Sequence, residues 1–205
     1  MKKKEVIQAP MGETTVLLHT CCAPCSSAII EAMMKAGITP VIYYCNPNIY
    51  PRQEYEIRKD ECTRYAQALG LEIIDADYDH DNWLDAVKGL ESEPERGGRC
   101  LKCFKLRLLR TAEYAAARGI KVITTTLASS RWKSLDQINE AGRWACLNIS
   151  QDVVWWEQNW RKNGLQERRL QIIKDYDFYN QLYCGCEFSM RKEDQNCPSD
   201  DLTTI

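Results

Sequence analysis

Apolar and polar residues follow one another along the chain in blocks that predict alternating strands and helices. Short apolar runs predict five buried strands, at 16–19, 41–44, 71–74, 120–126 and 153–156. Segments with apolar residues at every third or fourth position predict the helices, at 26–35, 52–69, 81–90, 101–115, 134–147 and 165–174. Gly37, Gly70 and Gly119 follow three of these segments, as glycine does where a helix ends.

This alternation predicts the fold class and the place of a functional site. Because parallel neighbours need a long crossover, strands separated by helices favour an α/β fold with a parallel sheet. We predict a single domain over 1–205, with a core at about 14–175, a cysteine-bearing segment at 176–190 and a mobile tail at 191–205. Sites in such folds lie beyond the carboxyl ends of the strands. We expect the segment 176–190 to fold back over that face.

Composition and charge exclude several classes of protein. Of the 205 residues, 44% are hydrophobic and 27% are charged, which is typical of a globular protein and not of a disordered, collagen-like or coiled-coil chain. The formal net charge of −2 supplies no general attraction for nucleic acid, so any polyanion must bind to a local basic patch. No apolar run is long enough for a membrane span or for the core of a signal peptide. We therefore expect a cytoplasmic protein without a membrane partner.

Cysteine is the unusual residue, with 11 among 205 positions. This share is below that of small disulfide-bonded scaffolds, and disulfides are rare in a reducing cytoplasm, so metal binding or redox catalysis is favoured. Seven cysteines fall into three groups, namely Cys21, Cys22 and Cys25, then Cys100 and Cys103, then Cys184 and Cys186. The first group stands where a strand meets a helix, and a helix N-terminus favours the thiolate form that binds metal.

The number of grouped thiols suggests two metal sites. A [4Fe–4S] cluster takes four thiolates and so does a structural zinc ion, and three thiols remain once either is bound. A cluster with a second, incompletely ligated metal accounts for all seven, and a catalytic metal needs such an open position. Two alternatives stay open: a thiol-disulfide oxidoreductase that uses Cys22 and Cys25, and a cluster-containing enzyme similar to tRNA thiolases.

Other polar residues near the predicted strand ends are candidate proton donors. His19 stands on an apolar strand just before the cysteines, and a buried structural histidine is the competing interpretation. Asp77 and Asp79 follow the third strand, where a carboxylate can cap the next helix or donate a proton. Cys62 and Cys146 share helical faces with apolar residues, so both are expected in the core.

Basic residues are concentrated in two stretches of the sequence. One surrounds Arg99, and the other starts at Arg131 and includes Trp132 and Trp160. A solvated surface is the default interpretation of such stretches. Because they lie near the cysteine-bearing segments, they also suggest contact with phosphates, and the indole rings suggest stacking on unpaired bases.

A series of motifs resembles one known family. In chain order they are HTCCAPC (19–25), YCNPNI (44–49), DYD (77–79), RCLKCF (99–104), TTTL (124–127) and YCGCEF (183–188). Together they resemble the QueH-type epoxyqueuosine reductases, over most of the chain. The resemblance implies a three-layer α/β sandwich similar to the PP-loop and HUP folds.

The resemblance also implies a reaction and its cofactors. Members of the family reduce the epoxide of epoxyqueuosine, in the anticodon loop of tRNA, to the cyclopentene of queuosine. The implied cofactors are a [4Fe–4S] cluster and an adjacent mononuclear iron, without cobalamin. Electrons are expected from an external donor similar to ferredoxin or flavodoxin.

Our working assignment divides the candidate residues by role. The cluster ligands are Cys22, Cys100, Cys103 and Cys184. The ligands of the single iron are Cys21, Cys25 and Cys186. Some relatives carry an acid in place of Cys25, which suits a single iron better than a cluster. The candidate proton donors are Asp77, Asp79 and His19.

Overall fold

A computed structural model describes residues 7–181 and 183–190, which contain a five-stranded sheet. The strands are β1 (Thr15–Thr20), β2 (Thr39–Tyr44), β3 (Ile73–Asp75), β4 (Val122–Thr125) and β5 (Val154–Trp155). Neighbouring strands are all parallel, and their order across the sheet is β3-β2-β1-β4-β5. The predicted parallel sheet is therefore confirmed, with β1 at its centre.

Helices connect the strands and cover both faces of the sheet. Within the described residues they are α1 (Ala23–Lys35), α2 (Arg52–Ala68), α3 (His80–Val87), α4 (Gly98–Arg118), α5 (Leu135–Ile149) and α6 (Leu165–Asp175). Local chemistry determines several of their ends. Pro24 lies in the first turn of α1, where no backbone N–H is needed, and the Ser134 hydroxyl caps α5 by accepting from the amide of Gln137.

Alternate residues of the central strand enter two separate cores. Val16 and Leu18 pack in the core formed with α1, α2 and α6, whereas Leu17 packs in the core formed with α4 and α5. A strand buried on both faces needs apolar residues at every position, which explains the uninterrupted apolar runs in the sequence. The predicted three-layer sandwich is confirmed.

Two differences at element ends bear on the site. β4 stops at Thr125, whose hydroxyl caps a 3₁₀ turn (Thr126–Ser129), so the strand is shorter than predicted. Helix α4 begins at Gly98, earlier than predicted. Cys100 and Cys103 therefore both lie in the first turns of α4, with their side chains about one turn apart.

The segment after α6 returns to the carboxyl ends of the strands. The carbonyl of Gly185 accepts a hydrogen bond of 2.8 Å from the amide of Tyr50, in the loop after β2, and Cys186 packs beside Trp83 of α3. The prediction that a cysteine-bearing segment covers this face is confirmed. The tail predicted at 191–205 lies outside the described residues. Within the described ranges, no helix has both the length and the apolar character of a membrane span.

Candidate functional site

A cavity lies at the carboxyl end of the sheet, where the sequence predicts the site. Its volume is about 920 Å³, enough for a ligand of nucleoside size or larger. Six of the seven grouped cysteines line it, namely Cys21, Cys25, Cys100, Cys103, Cys184 and Cys186. The fold therefore brings to one cavity the thiols of three distant parts of the chain.

The first group of thiols is compact. The Sγ atoms of Cys21, Cys22 and Cys25 all lie within 4.8 Å of one another, and those of Cys21 and Cys22 are 3.8 Å apart. Cys22 is the residue before α1, so the N-terminus of this helix carries the group. Hydrogen bonds from Cys22 and Cys25 lower the pKa of Cys21 well below its usual value, whereas burial raises the pKa of Cys22. Within this group the environment favours the thiolate form at Cys21 and the thiol form at Cys22.

The second group combines a helix with the returning segment. Cys103 and Cys186 pack in one apolar cluster with Trp83. Cys100 and Cys184 are close enough for the charge of one to affect the other. Burial raises the pKa of Cys100, and it raises the pKa of Cys186 to about 12, so both thiols favour the protonated form until a metal displaces the proton.

Arg58 of α2 holds the returning segment in place. Its buried guanidinium pairs with Glu54 at 2.6 Å and donates to the carbonyl of Cys184 at 3.2 Å. Gly185 has a φ of 103°, and a Cβ there would lie 2.9 Å from Ile49 and 3.0 Å from Arg58. Because only glycine combines this backbone with this space, Gly185 and Arg58 together determine the path of the chain between its two cysteines.

The cavity is strongly cationic although the chain as a whole is slightly acidic. Eight cationic side chains line it: Arg58, Arg96, Arg99, Arg107, Arg131, Lys133, Arg161 and Arg169. Glu95 is the only acidic residue among the described lining residues. This is a local patch of the kind that the net charge cannot reveal. It favours thiolates inside the cavity and a polyanion at its mouth.

Lys133 lies between the two groups of thiols. Its Nζ donates to the Sγ of Cys184 at 3.4 Å. Burial opposes its charge, yet the electrostatic influence of Cys184 and Cys21 raises the pKa of Lys133 above its ordinary value. Arg107 is buried in the same region, and its guanidinium lies 3.9 Å from the Sγ of Cys103. One buried cation, Arg107, and one partly buried cation, Lys133, thus lie beside the thiols.

His19 does not line the cavity. Its Nε2 donates to the carbonyl of Cys45 at 3.0 Å, and its Nδ1 accepts from the hydroxyl of Thr125 at 2.6 Å, which assigns the neutral tautomer. Desolvation lowers the pKa of His19 to about 3, so the ring stays neutral and its only N–H is already bonded. In this structure the histidine joins β1 to its two neighbouring strand ends, directly before Cys21.

The two candidate aspartates also lie outside the cavity lining. Asp77 is exposed and has a left-handed backbone with φ of 62°. Asp79 accepts from Arg110 of α4, and this hydrogen bond lowers the pKa of the Asp79 carboxyl. The carboxylate form that results is a weak proton donor near neutral pH.

Two residues near the thiols were not singled out from the sequence. Gln181 donates from Nε2 to the Sγ of Cys22 at 2.8 Å. His80 has its Nδ1 2.7 Å from the carbonyl of Pro47 and its Nε2 3.1 Å from Glu187, so it ties the loop after β2 to the returning segment. In the sequence, the only sign of a role for His80 is its position directly after the DYD motif (77–79).

One group of thiols beside the cavity has the spacing of metal ligands. Two thiolates at 2.3 Å from one metal, in tetrahedral geometry, are separated by about 3.8 Å. Cys21 and Cys22 have this spacing. The four thiols of the second group equal the number that a [4Fe–4S] cluster takes. Arg107 and Lys133 would offset part of the negative charge that seven thiolates bring.

Comparison with known proteins supports one family. The sequence model of the family described as epoxyqueuosine reductase QueH matches residues 16–192, a range that contains the whole cavity lining. The chain is 49% identical over 185 residues to the epoxyqueuosine reductase QueH of Histophilus somni, covering 90% of this chain and 76% of that protein. The protein of the same name from Haemophilus influenzae is 48% identical over 188 residues, covering 92% and 76%. That from Acinetobacter baylyi is 45% identical over 190 residues, covering 93% and 87%.

Proposed function

The chain belongs to the epoxyqueuosine reductase QueH family, and we propose that it converts epoxyqueuosine in tRNA to queuosine. Two electrons and two protons remove the epoxide oxygen as water and leave a carbon–carbon double bond. The observation that carries the proposal is the meeting of six thiols and eight cationic side chains in one cavity at the end of the sheet. Thiols suit a redox metal centre, and the cations suit the anionic backbone of RNA.

We assign the seven thiols to the two metal centres as the sequence suggests. The cluster is held by Cys22, Cys100, Cys103 and Cys184. The single iron is held by Cys21, Cys25 and Cys186. When bound, the single iron supplies a Lewis acid for the epoxide oxygen and the cluster supplies electrons one at a time. Because Cys22 lies within 4.8 Å of both Cys21 and Cys25, the two centres would be neighbours.

The spacing of the sulfurs favours a second division of the same seven residues. In it, Cys21, Cys22 and Cys25 share the single iron. The remaining four thiols, Cys100, Cys103, Cys184 and Cys186, hold the cluster. The short distances within the first group support this division, since they match the ligands of one metal ion.

Two substitutions distinguish these divisions. If Cys22 is a cluster ligand, Cys22→Ala removes the sulfide and the broad visible absorption of the anaerobically reconstituted protein, whereas Cys186→Ala removes only the additional iron. Under the second division, Cys22→Ala removes only the additional iron, and Cys186→Ala removes the sulfide and the broad visible absorption. Cys62→Ala is the matched control, because Cys62 is a buried cysteine of the core that does not line the cavity.

Asn48 is a candidate contact for the substrate. The side chain is 1% exposed and lines the cavity, and its Oδ1 has no hydrogen-bond partner among the described residues. A buried acceptor without a donor costs about 1–3 kcal/mol. A hydroxyl group of the bound nucleoside would supply that donor. Asn48→Ala is then expected to raise KM more than it lowers kcat.

Lys133 and Arg107 are the candidate charges for the reaction itself. As the epoxide opens, negative charge develops on its oxygen, and fixed cations in a site shielded from water stabilise such charge. Both side chains are held in place before substrate arrives, Lys133 at the Sγ of Cys184 and Arg107 at the side-chain carbonyl of Asn46. Lys133→Met is therefore expected to lower kcat while tRNA binding changes little.

The proton donors remain proposed as Asp77, Asp79 or His19. Each also makes contacts that favour a positioning role, because His19 braces the strand before Cys21 and Asp79 holds Arg110. A solvent proton relayed through the cavity is consistent with those contacts. Asp79→Asn keeps the shape of the side chain but removes its charge, so an unchanged pH profile of kcat in this variant argues against a proton donated by Asp79.

The proposal also names partners and a compartment. The substrate is tRNA that carries epoxyqueuosine in its anticodon loop, which places the enzyme in the cytoplasm. The electron donor is a small external protein similar to ferredoxin or flavodoxin. The test is anaerobic reconstitution with iron and sulfide, followed by incubation of the protein and a chemical reductant with epoxyqueuosine-containing tRNA. Formation of queuosine supports the proposal, and iron-loaded protein that leaves the epoxide intact refutes it. A protein that binds no iron but reduces disulfides would instead identify a thiol oxidoreductase.

A further inference from the structure

One tryptophan at the mouth of the cavity is exposed. The chain has six tryptophans, and Trp132 is 64% exposed, whereas Trp83, Trp155, Trp156 and Trp160 are buried. Trp132 also lines the rim of the cavity. Exposure removes burial as the reason for so large an apolar ring, and its place at the rim of a cationic cavity makes the ring accessible to a ligand.

The loop around Trp132 is held in a defined conformation. Arg96 donates from Nε to the carbonyl of Trp132 at 3.1 Å and from Nη2 to the carbonyl of Arg131 at 2.7 Å. The amide of Trp132 donates to the Ser130 hydroxyl at 3.3 Å, and Gln137 donates to the carbonyl of Arg96 at 2.9 Å. Backbone hydrogen bonds thus position the indole although the ring itself is exposed. A ring on an ordered backbone loses less entropy on binding than a ring on a free loop.

The surroundings of the indole combine aromatic surface with positive charge. The guanidinium of Arg131 lies over the Trp132 ring, 4.9 Å from its centroid, which adds a positive charge beside the aromatic surface. Arg96 and Lys133 flank it within the same cationic cavity. Aromatic rings combined with arginine bind unpaired bases by stacking, whatever the base is.

We propose that Trp132 is a stacking platform for the unpaired anticodon-loop base next to the modified nucleoside. The inference rests on the proposed function, in which that nucleoside enters the cavity. A nucleoside can enter only by leaving the stack of its loop, and its neighbour then loses a stacking partner. An indole at the rim replaces that partner at the point where the chain of the RNA bends into the cavity.

The test measures binding of an anticodon stem-loop RNA to the iron-loaded full chain. Stacking on an aromatic side chain contributes about 1–3 kcal/mol per base, so Trp132→Ala is expected to raise Kd about 5- to 150-fold. Trp132→Phe should restore most of the affinity. Neither variant removes a charge, so the slope of log Kd against log salt should stay as in the wild type, whereas Arg131→Gln should reduce it. Leu147→Ala is the matched control, because Leu147 is 82% exposed and does not line the cavity.

The outcomes separate the platform from the proposed function. Wild-type affinity in Trp132→Ala, or equal losses in the alanine and phenylalanine variants, overturns the platform. If Trp132→Ala binds RNA normally but accepts electrons from the protein donor more slowly, the indole belongs to the donor's docking surface and the platform is again overturned. A wild-type protein that binds no stem-loop RNA refutes the proposed function, and the platform with it. Loss of affinity in the alanine variant with rescue by phenylalanine supports the platform.

Discussion

Replacing Gly185 with alanine tests whether a single backbone position controls the second group of thiols. Gly185 separates Cys184 from Cys186 and has a φ of 103°. The added Cβ would lie 2.9 Å from Ile49 and 3.0 Å from the guanidinium of Arg58, both tighter than ordinary van der Waals contact. The substitution therefore combines backbone strain with a steric clash at the residue that holds the returning segment.

The destabilisation expected from Gly185→Ala can be compared with the energy of the hydrogen bonds that hold the returning segment. Backbone strain at such a position costs about 1–3 kcal/mol, and overpacking adds about 1–3 kcal/mol. The Arg58 guanidinium contributes two hydrogen bonds to carbonyls of the segment, each worth about 1.5–3 kcal/mol because the donor is charged. Since these amounts are similar, Gly185→Ala should release the segment locally without unfolding the sheet.

The assay has a global and a local readout. The global readout is the melting temperature by circular dichroism, which should stay near that of the wild type. The local readouts are the rate at which Cys184 and Cys186 react with a thiol reagent, expected to rise, and the iron bound after anaerobic reconstitution, expected to fall. Both are measured on the same preparation of the full chain.

Two other glycines serve as matched controls. Gly37 has a φ of 77° but open space around it, so Gly37→Ala introduces strain alone, about 1–2 kcal/mol, and should leave iron binding intact. Gly142 of α5 packs against the ring of Trp155, so Gly142→Ala should lower the melting temperature. The reasoning is refuted if Gly185→Ala leaves thiol reactivity and iron content unchanged. It also fails if this variant loses as much melting temperature as Gly142→Ala, since the segment would then unfold only with the sheet.

Three further predictions concern charge and burial. Burial lowers the pKa of His19 from 6.5 to about 3. The stability that the neutral ring contributes is therefore complete above pH 6.5 and is lost as the pH falls toward 3, by about 5 kcal/mol at most. Urea unfolding against pH should show this slope, and His19→Gln should flatten it. Lys133→Met should make the reduction potential of the reconstituted centre more negative, because it removes a cation 3.4 Å from the Sγ of Cys184. Lys102 is exposed, so Lys102→Met is the control and should leave the potential unchanged. Equal potentials in the two variants would contradict an electrostatic role of Lys133. Cys62→Ala and Cys146→Ser should each cost about 1–2 kcal/mol by urea unfolding and keep iron content normal, and loss of iron in either would mean that ligands have been missed.

The elements of the fold were predictable because their signals are local. Apolar runs without alternation predicted strands that are covered on both faces. Helix α4 ends at Gly119, which has a left-handed backbone, as the sequence suggested. The end of β4 was not predictable from the run 120–126, since the chain turns away after Thr125, where the amide of Leu127 donates to the Thr125 hydroxyl. Apolar character alone does not distinguish a strand from the 3₁₀ turn that follows it.

The meeting of the cysteines in one cavity was predictable, but the positions of the side chains between them were not. Cysteines are rare enough for three groups to stand out in one chain. Lys133 could be placed only within a basic stretch, because its contact with Cys184 depends on a segment 51 residues further along the chain. For the same reason, nothing local showed that Arg99 turns inward to bind loop carbonyls instead of facing solvent. Long-range contacts decided these cases, and single residues carry no signal of them.

Because the returning segment lies near the end of the chain, the site can be completed only late in synthesis. A ribosome makes the chain from its amino end, so all five strands and the thiols of Cys21 to Cys103 exist before Cys184 and Cys186 are synthesised. If these thiols bind iron as proposed, iron that arrives at this stage meets an incomplete set of ligands. The last two thiols then close over the cavity as Arg58 binds the backbone beside Cys184. Iron loading in cells is therefore expected to follow completion of translation, which a pulse of labelled iron during synthesis would reveal as a delay between new protein and new cluster.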